Sequence, residues 1–140
     1  MKRICALVSL MFLMTSCEVF VIKAPQREQA KVIDLTQRTP LGVVYLLKAE
    51  LDSGNLLGAM SIIASPDGSK YLAIERYEHA DRLSRLKRMI AQRQITDIRT
   101  DTLSTDTFNI NLEFDWTKKM SFTASRIDNS WYVVGYKCLY

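Results

Sequence analysis

Histidine is almost missing from these 140 residues, His79 being the only one. One imidazole and scattered carboxylates do not make a ligand set, so neither a metal centre nor a metal-dependent cofactor is expected. Cysteine is scarce too. Cys5 and Cys17 lie near the N-terminus and Cys138 two residues before the last, which argues against an intramolecular disulfide framework. An excess of one charge is also lacking. Without Lys2 and Arg3, seventeen basic side chains face fifteen acidic ones, too nearly balanced for a nucleic-acid partner. Nor is the polar bias of a disordered chain present. With 48% hydrophobic and 24% charged residues, the composition is that of a folded domain with one core.

What is present begins at the N-terminus. Met1–Arg3 form a short positive segment and Ile4–Met14 an uncharged, largely apolar stretch, too short for a comfortable permanent bilayer span. It ends in Leu13-Met14-Thr15-Ser16-Cys17. This resembles the lipobox of bacterial lipoproteins, with Met14 where that family prefers leucine. The resemblance implies a signal peptide over residues 1–16, cleavage between Ser16 and Cys17, and lipid carried on Cys17. Each buried methylene contributes about 0.8 kcal/mol, so several acyl chains hold a small domain at a membrane. The expected location is the cell envelope, on the inner or outer membrane facing the periplasm, or on the outer cell surface.

Residues 17–38 read as the lipidated cysteine and a tether, polar from Lys23 and interrupted by Pro25. Within it, Val19-Phe20-Val21-Ile22 is either a short strand or a contact with lipid headgroups. The domain is expected over residues 39–140. Thr39-Pro40 reads as an N-cap followed by proline at the first helical position, opening a helix to about Ser53, with Gly54 ending it. Asn55 caps a second, apolar helix from Leu56 to Ala64. A third helical region runs from about Lys70 to Ala91, with Leu72, Leu83, Leu86 and Ile90 on one face. Asp81 and Arg85 are spaced there for a surface ion pair.

From Gln94 the period changes to two. Ile95 to Leu103 suggests an irregular strand, and Phe108 to Trp116 alternates apolar and polar residues throughout. A turn at Thr117-Lys118-Lys119, a strand from Met120 to Ala124, a turn at Asp128-Asn129-Ser130 and a last strand from Trp131 to Cys138 follow. The parity of that last strand is undecided: either Trp131 and Val133 or Tyr132, Val134 and Tyr136 point inward. The fold class expected is α+β, three helices packed on an antiparallel sheet.

The helix opening at Thr39-Pro40, the phrase Lys48-Ala49-Glu50-Leu51-Asp52-Ser53-Gly54-Asn55 and the closing Asn129-Ser130-Trp131-Tyr132-Val133-Val134-Gly135-Tyr136 resemble the nuclear transport factor 2-like (cystatin-like) superfamily. More narrowly, they are similar to small bacterial lipoproteins of that fold. The resemblance covers about residues 39–138 and implies a curved sheet around the helices, a cystatin-like cone with a pocket. Members include binding modules, enzymes such as ketosteroid isomerase and the polyketide cyclases, and components of envelope secretion assemblies. Fold does not choose among them.

No motif places a carboxylate as the enzymes require, so no catalytic residue is assigned. The candidate pocket residues are His79, Tyr77, Trp116, Trp131 and Tyr136, aromatic or titratable groups able to face an apolar ligand. Core packing needs the same aromatics, and His79 also fits a helix kink. Arg82, Arg85, Lys87, Arg88 and Arg93 form a basic cluster that reads mainly as a solvated face. The expected function is a lipid-anchored binding or scaffolding module. Its partners would be the membrane through Cys17 and an envelope protein or small apolar ligand, and a homodimer is compatible with it. Cys138 reads as a strand cysteine, with an intermolecular disulfide as the alternative.

Overall fold

The computed structural model describes residues 34–139, so the expectations for Ser16, Cys17 and the tether before Asp34 lie outside the described residues. Helix α1 spans Pro40–Ser53 and starts as its sequence directs. The Thr39 hydroxyl accepts from the Gly42 N–H at 3.0 Å, and Gly54 closes the helix at φ 80°. Helix α2 is Leu56–Ile62, capped by the Asn55 side chain. It ends two residues before the expected Ala64. The β-branched Ile63 takes an extended conformation and, with Ala64, lies along the edge of the sheet, where the Ala64 N–H donates to the Val133 carbonyl oxygen at 3.1 Å.

The third helical region divides in two. Helix α3, Ala73–Glu78, and helix α4, Ala80–Ile90, meet at His79. Leu83, Leu86 and Ile90 are buried as the helical spacing predicts. Leu72 is not, because the break at His79 takes the earlier turns out of register with that face. Among the described residues no ion pair joins Asp81 to Arg85.

Strands β1 (Ile95–Ser104), β2 (Thr107–Phe114), β3 (Lys118–Ile127) and β4 (Ser130–Leu139) form an antiparallel meander in the order β1-β2-β3-β4. The architecture is α+β, helices first and an open curved sheet after. The β2–β3 turn comes earlier than expected, at Asp115 and Trp116, both with positive φ. Asp115 explains the shift: its carboxylate accepts from the Gln94 N–H at 3.0 Å and from Arg93 Nη1 at 3.1 Å, clamping the turn to the loop before β1.

The undecided parity of β4 has a physical answer. Thr123 pairs with Gly135 but Ala124 pairs with Val133, leaving Val134 as an extra, bulged residue. A bulge reverses the alternation. Trp131 and Val133 therefore join the core before it, while Tyr136 and Cys138 pair with the core residues Phe122 and Met120 after it. Beneath this face pack Val43, Val44, Leu47 and Leu51 of α1 with Leu83, Leu86 and Ile90 of α4. Full burial of each large side chain contributes about 1.5–3 kcal/mol before chain entropy is counted.

The folded part also reaches back before Thr39. The Trp131 N–H donates to the Gln37 carbonyl oxygen at 2.8 Å, and Gln37 Nε2 donates to the Trp131 carbonyl oxygen at 3.1 Å. The segment expected as the end of the tether is thus docked against β4.

Candidate functional site

The bulge at Val134 pulls β4 away from regular pairing and opens a cleft between the strand and the start of α4. Its volume is about 50 Å³. Tyr71, His79 and Arg82 line one wall, and Val134, Gly135 and Tyr136 the other. Each of the polar groups is positioned by the local fold. The His79 ring stacks on Tyr71 with centroids 4.2 Å apart and planes at 42°, which staples the two ends of α3 together. Arg76 Nε reinforces the staple by donating to the Tyr71 carbonyl oxygen at 3.2 Å. The Tyr136 hydroxyl donates to the Arg82 carbonyl oxygen at 3.0 Å, fixing the floor against α4.

Of the five candidate pocket residues, the structure brings His79 and Tyr136 together here. The other three lie elsewhere. Trp131 is 8% exposed and packs edge-on against Phe108, with ring centroids 5.4 Å apart. Trp116 is 75% exposed on the β2–β3 turn, and Tyr77 is 73% exposed on α3. Tyr71 and Arg82 were not singled out as pocket residues by the sequence. The signal that points to them is the unbroken apolar and aromatic run Trp131 to Tyr136, which fits no alternation and so marks a bulge and the opening beside it.

The chemistry available in the cleft is limited and specific. The His79 imidazole and the rings of Tyr71 and Tyr136 border the cleft, Arg82 contributes the backbone carbonyl that accepts from the Tyr136 hydroxyl, and none of the lining residues is acidic. Proton abstraction beside a carbonyl needs a base held against a paired donor. The cleft instead suits stacking and hydrogen bonding to a small polar group. Among the described residues no three His, Cys, Asp or Glu side chains gather as a metal site, and no helix is long and apolar enough to cross a membrane.

A wider open groove of about 730 Å³ lies at the other end of the sheet, between Met89 and Arg93 on one side and Lys118, Lys119 and Leu139 on the other. Its cations are partly satisfied: Arg93 pairs with Asp115 at 3.1 Å and Lys119 with Glu113 at 3.4 Å. Cys138 borders it, half-buried, with Sγ 3.8 Å from Met89 Sδ. Comparison with family descriptions, curated proteins and solved structures returns no match.

Proposed function

We propose that the chain is a lipid-anchored protein of the cell envelope, tethered through Cys17, whose domain is a binding module of the nuclear transport factor 2-like kind. The observation that carries the binding reading is the size of the cleft beside the bulge. At about 50 Å³ it admits one small side chain or a few waters. Pockets that engulf a whole small molecule run to about 300–1,000 Å³. Meanwhile the space between helices and sheet, where a cone-shaped pocket would lie, is filled by Leu47, Leu51, Leu86, Phe114 and Phe122, all essentially unexposed. A shallow notch bordered by His79, Tyr71 and Tyr136 over a filled core favours capture of a protruding group on a larger partner. Ketosteroid isomerase-like catalysis has no such support here. The helix order ahead of an antiparallel meander and the bulged closing strand favour the superfamily reading.

Two measurements test this. The mass and membrane partition of the protein expressed in a bacterium, compared with Cys17→Ser, report on the anchor. An unlipidated wild type running soluble removes that half. For the binding half, a photo-crosslinking residue replacing Arg82 should give discrete envelope adducts that the same residue replacing Trp116 does not. Equal adduct patterns at both positions sink it.

A further inference from the structure

The sheet is open, and its two edges are finished differently. Along β4 the edge is occupied: the Trp131 N–H donates to the Gln37 carbonyl oxygen at 2.8 Å, and the Val133 carbonyl oxygen accepts from the Ala64 N–H at 3.1 Å. Along β1 it is bare. The helices pack over β2, β3 and β4. Side chains from Ile98 to Ser104 are exposed on both faces, and among the described residues no backbone group outside β2 bonds to this stretch. Such an edge presents a row of free N–H and C=O groups, and proteins that keep an edge single blunt it with proline, lysine or a bulge. From Asp97 to Thr102, β1 has none of these. Its register with β2 runs there without a shift, the irregularities lying outside, between Ile95 and Asp97 and between Thr102 and Ser104.

The charges along β1 select what pairs with it. Ile98, Thr100 and Thr102 stand opposite Leu112, Ile110 and Phe108 on the face that carries the core, whereas Asp97, Arg99 and Asp101 stand opposite Glu113, Asn111 and Asn109 on the other face. When an edge strand pairs antiparallel with its own copy about a two-fold axis, one residue faces itself and its neighbours face each other in reverse order. With Thr100 at the axis, Arg99 of each copy faces Asp101 of the other, giving two opposite-charge pairs, and Ile98 faces Thr102. With Arg99 there, Arg99 faces itself and Asp97 faces Asp101; with Asp101 there, Asp101 faces itself. Like charges directly opposite destabilise. With Ile98 at the axis, Arg99 faces Asp97, but the regular stretch then holds a single residue, Asp97, before the axis. The charged groups are at hand for the Thr100 register. Arg99, 77% exposed, donates through Nε to Asp97 at 3.2 Å, and Asp101 accepts through Oδ2 from Asn111 at 3.0 Å. Among the described residues the Nη groups of Arg99 and Oδ1 of Asp101 make no hydrogen bond.

We infer that two copies of this chain join edge to edge through β1, antiparallel about a two-fold axis at Thr100, into one continuous sheet with four strands from each copy. Backbone hydrogen bonds supply the attraction, and the Arg99–Asp101 pairs fix the register. The axis is perpendicular to the sheet, so both helix layers lie on the same side of it. The cleft beside β4 in each copy stays open, because β4 is the edge opposite β1. Such a dimer offers two notches at once, which strengthens a weak contact with a repeating partner. The pairing stands whether or not Cys17 carries lipid.

Residues 17–140 with Cys17→Ser and Cys138→Ser retain no thiol. Sedimentation equilibrium of this parent should give a reversible dimer. Asp101→Arg sets two cations against each other in both pairs and should weaken the dimer about tenfold or more. Adding Arg99→Asp exchanges the two charges, restores opposite pairs and should return the dissociation constant to within about threefold of the parent's. In a register centred on Ile98 the same exchange would oppose two carboxylates and restore nothing. A short thiol-to-thiol crosslinker should join Thr100→Cys to itself, and Ile98→Cys to Thr102→Cys when the two proteins are mixed, while Lys137→Cys, exposed on β4, stays single. All the β1 positions changed are exposed, and circular dichroism equal to the parent's shows that the fold is kept. A protein that stays monomeric up to its solubility limit, a dimer that the charge exchange fails to restore, or one that crosslinks through Lys137→Cys and not through Thr100→Cys overturns the inference.

Discussion

The Tyr136 hydroxyl donates to the backbone carbonyl oxygen of Arg82 at 3.0 Å, joining β4 beyond its bulge to the first turn of α4 across 54 positions of sequence. A phenol to carbonyl bond of this kind, partly open to water, contributes about 0.5–1 kcal/mol. Tyr136→Phe keeps the ring beside Phe122, whose centroid is 6.4 Å away. The expected result is a melting temperature lowered by roughly 3–6 °C with the cooperativity of the transition intact. An unchanged melting temperature would mean that the bond does not anchor α4.

Deletion of Val134 has a different character. Removing the extra residue restores strict alternation, and one half of β4 must then turn its apolar side chains away from the core. Exposing Trp131 and Val133 costs on the order of 3–5 kcal/mol, a large part of the usual stability of a domain. Near-ultraviolet circular dichroism and urea unfolding should show loss of fixed packing, whereas Val134→Ala, which keeps the residue count, should change stability by less than about 1 kcal/mol. A deletion variant as stable as the wild type would refute the bulge.

That bulge also marks the limit of what the sequence conveys. Thr39-Pro40, Gly54 and Asn55 act through bonds to their immediate neighbours, so α1 and the start of α2 are legible from residue type alone. The alternation of Phe108 to Phe114 likewise shows which side of β2 is buried. Two features escape that kind of reading because distant partners decide them. The β2–β3 turn moves to Asp115 and Trp116 because Arg93 and Gln94 bind the Asp115 carboxylate from another element. The break at His79 depends on Tyr71 being eight residues back, which a periodicity argument over a single helix does not see. His79 and Tyr136 were reachable as candidates, but the cleft they share exists only through the bulge.

Gly42 tests the docked segment before α1. In a helix interior, alanine in place of glycine normally stabilises by about 0.5–1 kcal/mol. Here a Cβ would lie 2.6 Å from the Asp34 carbonyl oxygen and 2.7 Å from that of Thr36, too close for either. Gly42→Ala should therefore destabilise, by about 1–2 kcal/mol in urea unfolding, or push residues 34–36 off the helix. Loss of protection from hydrogen exchange at the Trp131 amide, which Gln37 accepts, would report the displacement. A gain in stability with that protection unchanged would show that the chain before Thr39 does not cross Gly42 as described.

Acid should act on the loop that leads from α2 to α3. The Asp67 carboxylate accepts from the Ser69 hydroxyl at 2.7 Å and from the Ser69 N–H at 2.9 Å, and these bonds hold its pKa below the ordinary 3.8. A carboxyl whose folded pKa is depressed contributes above its unfolded value, and the contribution fades as pH falls through the folded one. The Ser69 amide resonance should therefore move with a midpoint under 3.8 and stop titrating in Asp67→Ala. Lys70, at the other end of the same loop, carries the opposite sign. Its hydrogen bond to Asp128 raises its pKa, so that contact is complete at neutral pH and lost only as pH rises through the elevated value. Between those limits both contacts of the loop are in place. A Ser69 midpoint at or above the ordinary aspartate value would mean that the carboxylate does not hold the turn.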